Sequence, residues 1–175
     1  MPAGSKTAAN GKWVKTPYEE FFAKLSRVFP TLPFTAEDLG FITPDVRELI
    51  QRYALPGMRV LVFAFGGSHT NEHLPHNHSR NMVVYTSTHD TNTVKGWFIS
   101  EASAKAKEHL AKYVGRTVSE DTVHRVFIEL AFSSVATLSM VPVQDILGLG
   151  SEARINRPGT ARGNWECVSF LTSLP

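Results

Sequence analysis

Acidic side chains follow three stretches of this sequence that have the composition of β-strands. Glu37 and Asp38 lie near the end of "PFTAEDLG", His89 and Asp90 end "VVYTSTHD", and Asp145 follows "VATLSMVPVQ". In parallel α/β proteins the catalytic residues collect at the carboxyl ends of the strands. A buried carboxylate is costly unless something uses it. The positions therefore indicate carboxylate chemistry at one edge of a sheet.

Helix capping is the alternative explanation for an acidic residue that directly follows a strand. For Asp38 and Asp145, helix capping and catalysis are equally good explanations. Glu37 and Asp90 lie deeper towards their strands than a capping residue should, so the catalytic interpretation gains for these two. Glycoside chemistry is a natural candidate, because it runs on paired Asp or Glu side chains without a cofactor. Many other α/β barrels also use carboxylates.

The elements that would position these residues alternate between helix and strand. We predict helices at 17–29, 44–54, 94–114 and 119–134, and strands at 33–40, 58–65, 82–88 and 135–147. In the first helix we expect one buried face, formed by Phe21, Phe22, Leu25, Val28 and Phe29. The order is typical of βα units around a parallel sheet. A complete (β/α)8 barrel takes about 250 residues, so four strands correspond to about half a barrel.

Composition excludes several classes of protein but does not identify a binding partner. The net charge of +2 is too small to draw in nucleic acid or acidic lipid. A single cysteine, Cys167, excludes an internal disulfide and favours a reducing compartment. No apolar leader and no membrane-spanning run is evident. We expect one soluble unit, or a piece of a larger one, with no nucleic-acid or membrane partner.

Four of the seven histidines lie in one polar loop, "GGSHTNEHLPHNHSRN". Their spacing matches no familiar zinc pattern. We therefore expect neither a metal nor another cofactor, and interpret the loop as a polar segment near an active site that contacts a hydroxylated ligand. A metal-dependent hydrolase that uses this loop remains open as an alternative.

Several motifs occur in an order and spacing that resemble a known family: "AEDLGFITPDV", "LPGMRVLVFAF", "LPHN", "VVYTSTHDTNT" and "VPVQDILGLGSEARINRPGTARGNW". The chain resembles the C-terminal part of the 4-α-glucanotransferases, also called amylomaltases or disproportionating enzymes, of glycoside hydrolase family 77. The likeness runs from about residue 2 to residue 165. It implies the C-terminal half of a TIM barrel over 1–175, with an active-site loop at 1–15 and a divergent tail at 166–175.

The resemblance also implies an activity and the residues that carry it. These enzymes transfer segments of α-1,4-glucan with retention of configuration. Glu37 matches the general acid/base, and Asp90 matches the carboxylate that holds sugar hydroxyls and stabilises the oxocarbenium-like transition state. Among the substrate-binding residues, His89 would hydrogen-bond the same sugar. Trp13, Asn77 and Asn164 are the further substrate-binding candidates.

One departure from the family pattern bears on activity. The family's nucleophile is an Asp in an Arg-x-Asp-His segment after strand four, whereas the five Asp residues here, at 38, 45, 90, 121 and 145, lie in no such segment. We therefore expect the isolated chain to be inactive without the N-terminal half of the barrel, whose absence would leave unpaired, apolar strand edges. A non-catalytic glucan-binding remnant is the alternative. The family implies a cytoplasmic enzyme, or a plastid one in a plant or alga.

Overall fold

The computed structural model describes residues 3, 4, 7, 9, 11, 12 and 14–166, which divide into two units after residue 34. The first unit contains helix α1 (Tyr18–Val28), close to the predicted 17–29. Its predicted core face is not buried, since no residue of α1 is buried and the Phe21 side chain is 58% exposed. Apolar spacing shows which side chains share a helix face, but whether anything covers that face is a tertiary property.

The second unit contains the remaining helices and the strands. They are, in chain order, α2 (Pro44–Arg52), β1 (Gly57–Val60), β2 (Met82–Tyr85), α3 (Val94–Ser100), α4 (Ala104–Val114), α5 (Val123–Phe132), β3 (Leu138–Met140) and α6 (Val143–Ile146). Short 3₁₀ turns at Leu61–Phe63, Pro75–Asn77 and Ser151–Ala153 complete it. None of the helices within the described residues has the length and apolar composition needed to cross a membrane.

The three strands form one parallel sheet in the order β1-β2-β3, which confirms the predicted α/β class. In register, Gly57 pairs with Met82, and Val83 pairs with Leu138. The central strand β2 is buried at Val83 and Val84. On its outer side β3 faces no further strand of the described residues, and its Leu138 side chain is 50% exposed. The sheet therefore ends there in an apolar edge.

The core lies where helices α3, α4 and α5 pack against the sheet. Phe127 of α5 is fully buried, and its ring lies 5.8 Å from that of Phe65 and 5.3 Å from that of Trp97. Trp97 is thus a core residue. The helix predicted over 94–114 is in fact two helices, because the Ser103 hydroxyl accepts a hydrogen bond from Ala106 N and caps a new one.

The first predicted strand, 33–40, is wrong: these residues form no strand. One parallel-type bond is made, from Ala36 N to the carbonyl of Pro56 at 2.8 Å. Ala36 O then accepts from Asp38 N at 3.1 Å, and the Asp38 carboxylate takes the Met58 amide at 2.6 Å. A tight turn and a side chain therefore replace the ladder, so the sheet has three strands here rather than four.

The outer edge of β1 is closed by side chains. Met58 N donates to Asp38, and Val60 N donates to the Nδ1 atom of His73 at 3.1 Å. Nδ1 therefore carries no proton, since it accepts this bond. The His78 imidazole in turn contacts the carbonyl of His73 at 3.0 Å and the Ser134 hydroxyl at 2.7 Å. Two histidines of the polar loop, His73 and His78, therefore stabilise the edge of the sheet.

A buried carboxylate joins the tip of β2 to the start of α3. Asp145 is 1% exposed and accepts hydrogen bonds from the hydroxyls of Thr86 and Ser87, each at 2.6 Å, and from Val94 N at 2.8 Å. Asp145 therefore caps no helix that follows it; it lies within α6 and accepts the first amide of α3, whose N-cap is Thr93. The loop between the anchored ends, 88–93, carries His89 and Asp90.

Burial raises the pKa of Asp145, and the hydrogen bonds from Ser87, Thr86 and Val94 oppose that rise. Removing the carboxylate would leave two buried hydroxyls and one helix N–H without their acceptor. Each such loss costs about 1–3 kcal/mol. We expect Asp145→Ala to lower the free energy of unfolding by about 3 kcal/mol or more, as measured by urea denaturation followed by circular dichroism.

The matched control is Asp121→Ala, which removes an exposed carboxylate paired with Lys95. Exposed ion pairs contribute at most about 1 kcal/mol, so we expect a change within that limit. Equal losses in the two variants would contradict the role given to Asp145.

The two histidines of the β1 edge predict an acid-sensitive fold. Burial lowers the pKa of His73 and of His78 below the usual 6.5. Because the unfolded chain takes up these protons at higher pH than the folded chain, the stability they provide is full above about pH 6.5 and is lost as the pH falls below it. We expect the urea midpoint to be lower at about pH 5.5 than at about pH 7.5.

His73→Gln keeps an acceptor for Val60 N but cannot titrate, so the loss of stability on acidification should shrink. His69→Gln is the matched control in the same loop, since the bonds recorded for His69 are made by its backbone carbonyl. An acid-induced loss as large in His73→Gln as in the unsubstituted protein would show that His73 is not responsible.

Candidate active site

A cleft of about 730 Å³ lies at the carboxyl ends of the strands in the second unit. Its volume is within the range of small-molecule sites. The polar lining consists of Thr35, Glu37, Ser87, Thr88, His89, Asp90, Thr91 and Gln144, and the apolar lining includes Leu39, Met58, Phe63, Tyr85, Met140, Pro142 and Ile155. The structure therefore brings Glu37, His89 and Asp90 to one cavity, although they come from separate parts of the chain.

Glu37 reaches the cleft because the residues on either side of it are tied to β1. Ala36 N bonds to the carbonyl of Pro56, and the Asp38 carboxylate accepts the Met58 amide. Glu37 itself is exposed. Across the cleft, burial and the negative charge of Glu37 both raise the pKa of Tyr85, burial being the larger cause. Glu37 and Tyr85 are therefore close enough to interact electrostatically.

His89 and Asp90 stand side by side at the tip of β2. The Nε2 atom of His89 lies 3.4 Å from Oδ1 of Asp90, and both side chains are about half exposed, at 52% and 49%. Such an arrangement leaves the remaining carboxylate oxygen and the imidazole accessible to a ligand. It suits the binding of adjacent hydroxyl groups, one by an acceptor and one by a donor.

The segment 153–156 clamps this tip, and sequence reasoning did not single it out. The Arg154 guanidinium donates to the backbone carbonyl of Asp90 at 2.7 Å, and the Asn156 side chain donates to its carboxylate at 2.5 Å. Asn156 N also donates to the carbonyl of His89 at 3.0 Å. Arg154 and Asn156 lie inside the motif "LGLGSEARINRPGT", but nothing in their spacing shows that they reach Asp90, a loop residue 64 and 66 residues earlier.

Asn164 has its hydrogen bonds within its own loop. Its side chain accepts from Arg157 N at 2.9 Å and donates to the carbonyl of Thr160 at 3.0 Å, and it is not among the cleft-lining residues. The next residue, Trp165, lies with its ring 5.2 Å from that of His89. Trp165, the neighbour of the predicted Asn164, is therefore the residue of this loop that contacts His89.

Asn77 is likewise occupied by its own loop. Its side-chain amide donates to the carbonyls of His69 and Asn71, each at 2.8 Å, and it does not line the cleft. The remaining substrate-binding candidate, Trp13, lies outside the described residues. Within the described part of the chain, no group of three or more His, Cys, Asp or Glu side chains is arranged to hold a metal.

The geometry supports acid/base chemistry on a hydroxylated ligand. Two carboxylates and an imidazole face one cleft, with hydroxyl and amide groups around them. A carboxyl group within reach of a bridging oxygen transfers protons as a general acid/base, and a second carboxylate stabilises the positive charge that develops when the bond breaks.

Comparison with known proteins finds relatives that share one name. Curated relatives named 4-alpha-glucanotransferase include those of Aquifex aeolicus, 46% identical over 165 residues, and of Synechocystis, 49% identical over 167 residues. The alignments include 94% of this chain but only 34% and 33% of those relatives. The chain thus spans about a third of their length.

A solved structure agrees with the fold. An amylomaltase from Streptococcus agalactiae, in complex with acarbose, matches with a TM-score of 0.86 and 28% identity, over 94% of this chain and 33% of that one. A family profile described as 4-alpha-glucanotransferase matches residues 1–169. Because the profile extends over nearly the whole chain, the protein belongs to glycoside hydrolase family 77, the 4-alpha-glucanotransferase family.

Proposed function

We propose that this chain carries the general acid/base and one further carboxylate of a retaining 4-α-glucanotransferase. The observation that carries the proposal is that Glu37 and Asp90, which follow different segments of the chain, line the same cleft. The substrates would be α-1,4-glucans such as maltodextrins or the oligomers of starch or glycogen. That the amylomaltase of S. agalactiae was solved with acarbose supports a glucan-shaped ligand.

Glu37 would move the proton in both halves of the reaction. It first protonates the glycosidic oxygen that leaves, and then removes the proton from the 4-hydroxyl of the acceptor glucan. Its exposed side chain and anchored backbone suit a group that must meet two different oxygens. Asp90 would hold hydroxyls of the distorted sugar and stabilise the oxocarbenium-like charge, and His89 would donate to the same sugar.

The nucleophile would come from the N-terminal half of the barrel. None of the five Asp residues of the chain lies in an Arg-x-Asp-His segment. The open apolar edge at β3 suits a sheet that continues into further strands. We propose that the described sheet belongs to the C-terminal half of a (β/α)8 barrel; the predicted active-site loop, 1–15, and divergent tail, 166–175, lie partly outside the described residues.

Such an enzyme would act in the cytoplasm of a bacterium or in a plastid of a plant or alga. The relatives from Arabidopsis thaliana and Solanum tuberosum are named chloroplastic/amyloplastic enzymes.

We expect the 175-residue chain alone to catalyse no glucan transfer, because no covalent glycosyl-enzyme forms without the nucleophile. Incubation with maltotriose should release neither glucose nor longer maltodextrins in a chromatographic assay. The enzyme of Thermus thermophilus, a relative that is 48% identical over 172 residues, is the positive control. Sustained disproportionation by the chain alone would contradict the proposal.

We expect the chain to bind maltotetraose through the cleft even without turnover. His89→Ala should weaken that binding by about two- to ten-fold, the equivalent of one hydrogen bond, in isothermal titration calorimetry. His69→Ala, a histidine outside the cleft lining, is the matched control and should leave the affinity unchanged. Equal affinities for all three proteins would show that the glucan does not bind at His89.

A further inference from the structure

An arginine lies behind the proposed acid/base residue. Arg59 of β1 is 6% exposed, and its guanidinium contacts two acidic side chains. One nitrogen, Nη1, donates to Oδ2 of Asp38 at 3.0 Å, and the other, Nη2, lies 3.0 Å from Oε2 of Glu72. Asp38 directly follows Glu37 in the chain, and Glu72 belongs to the histidine-rich loop. We refer to Asp38, Arg59 and Glu72 as the Arg59 bridge.

We propose that Arg59 is a positioning residue for the transfer reaction: through Asp38 it holds Glu37 in the orientation from which the proton is exchanged with the glucan. This inference rests on the proposed function, because it assumes that Glu37 is the acid/base. Arg59 is not itself a catalytic residue, since it contacts the cleft only through its neighbours.

The surroundings of the Arg59–Asp38 pair make it rigid. Their side chains are only 8% and 12% exposed, so water cannot replace either partner without the fold opening. Removing one partner would strand the other charge in a poorly solvated position. A guanidinium can serve two acidic groups at once because its donors form a planar fork, and here the two ends of the fork face different segments of the chain.

The backbone restricts Asp38 further. Oδ1 accepts the Met58 amide at 2.6 Å, while Oδ2 takes the arginine. A Cβ atom at Gly57 would lie 2.6 Å from Oδ2, so only glycine admits the carboxylate at this place. Asp38 is thus held by the Met58 amide, the Arg59 guanidinium and the close approach of Gly57. The adjacent Glu37 therefore has little backbone freedom.

The bridge also gives the polar loop a function that its histidines do not. His73 N donates to the side chain of Asn71 at 2.9 Å, and the His73 ring accepts Val60 N, so the loop is fixed on both sides of Glu72. Glu72 then supplies the second acceptor of Arg59. The loop therefore supports the acid/base from behind, without lining the cleft at Glu72.

The experiment measures how fast the Glu37 carboxylate reacts with a reagent bound in the cleft, and it does not require the catalytic nucleophile. Epoxybutyl α-maltoside is incubated with the 175-residue chain. A correctly placed carboxylate oxygen attacks the epoxide carbon, the carbon–oxygen bond of the ring breaks, and the released alkoxide takes a proton from water, leaving an ester. Peptide mass spectrometry gives the esterified residue and its rate of formation, and maltotriose as competitor gives the affinity of the cleft.

In the unsubstituted chain we expect an ester on Glu37 that maltotriose slows. In Arg59→Met the rate at Glu37 should fall by about ten-fold or more, the scale on which small misplacements act, while the concentration of maltotriose that protects stays the same. Arg59→Lys retains the positive charge beside Asp38 but not the fork that also reaches Glu72, and should recover part of the rate. Arg116→Met, which removes an exposed arginine paired with Glu129, is the matched control and should behave as the unsubstituted chain.

Arg59→Met strands the charge of Asp38, so the double variant Asp38→Asn with Arg59→Met tests the same point with neither charge left alone. Labelling of the double variant at the unsubstituted rate would overturn the inference. So would a joint loss of labelling and of maltotriose protection, since that is the mark of a purely structural role. If the unsubstituted chain forms no ester on Glu37, the proposed function fails, and the inference fails with it.

Discussion

The buried carboxylate of Asp145 is the interaction on which the site depends most. It lies in the short stretch after β3, yet its three hydrogen bonds go to the end of β2 and the start of α3. Burial removes water from this carboxylate and thereby raises its pKa. The hydrogen bonds from the surrounding donors offset the cost of burying it. Because both ends of the loop 88–93 are attached to this one group, the position of His89 and Asp90 follows from it.

The two carboxylates of the cleft are supported in different ways. Glu37 is held from behind, through the neighbouring Asp38 and the guanidinium of Arg59. Asp90 is held from the side, by Arg154 on its backbone carbonyl and Asn156 on its carboxylate. In both cases an arginine bonds beside the cleft carboxylate, at the Asp38 side chain or at the Asp90 carbonyl, and leaves that carboxylate in the cleft. This division suits the proposed roles, in which Glu37 would exchange protons and Asp90 would stay charged.

Much of the architecture could be predicted from local patterns. The parallel sheet followed from apolar runs separated by helices, and Asp90 follows such a run, while Glu37 lines the cleft although the strand predicted before it does not form. The first strand failed because the Asp38 carboxylate competes with the backbone for the Met58 amide. The long helix over 94–114 failed because Ser103 starts a new helix. Both errors have one cause, a polar side chain that takes over a backbone hydrogen bond.

By itself, the sequence determined the class of fold through the period and order of its elements, and its motifs carried the resemblance to the family and to the family's carboxylates. Only the tertiary structure decided what holds them. Arg59 reaches Asp38, Arg154 reaches Asp90, and Asp145 reaches Thr86 across gaps of 21, 64 and 59 residues. Contacts over such gaps depend on how the strands and loops pack against one another, and a polar residue in a loop carries no mark of the distant partner that it will meet.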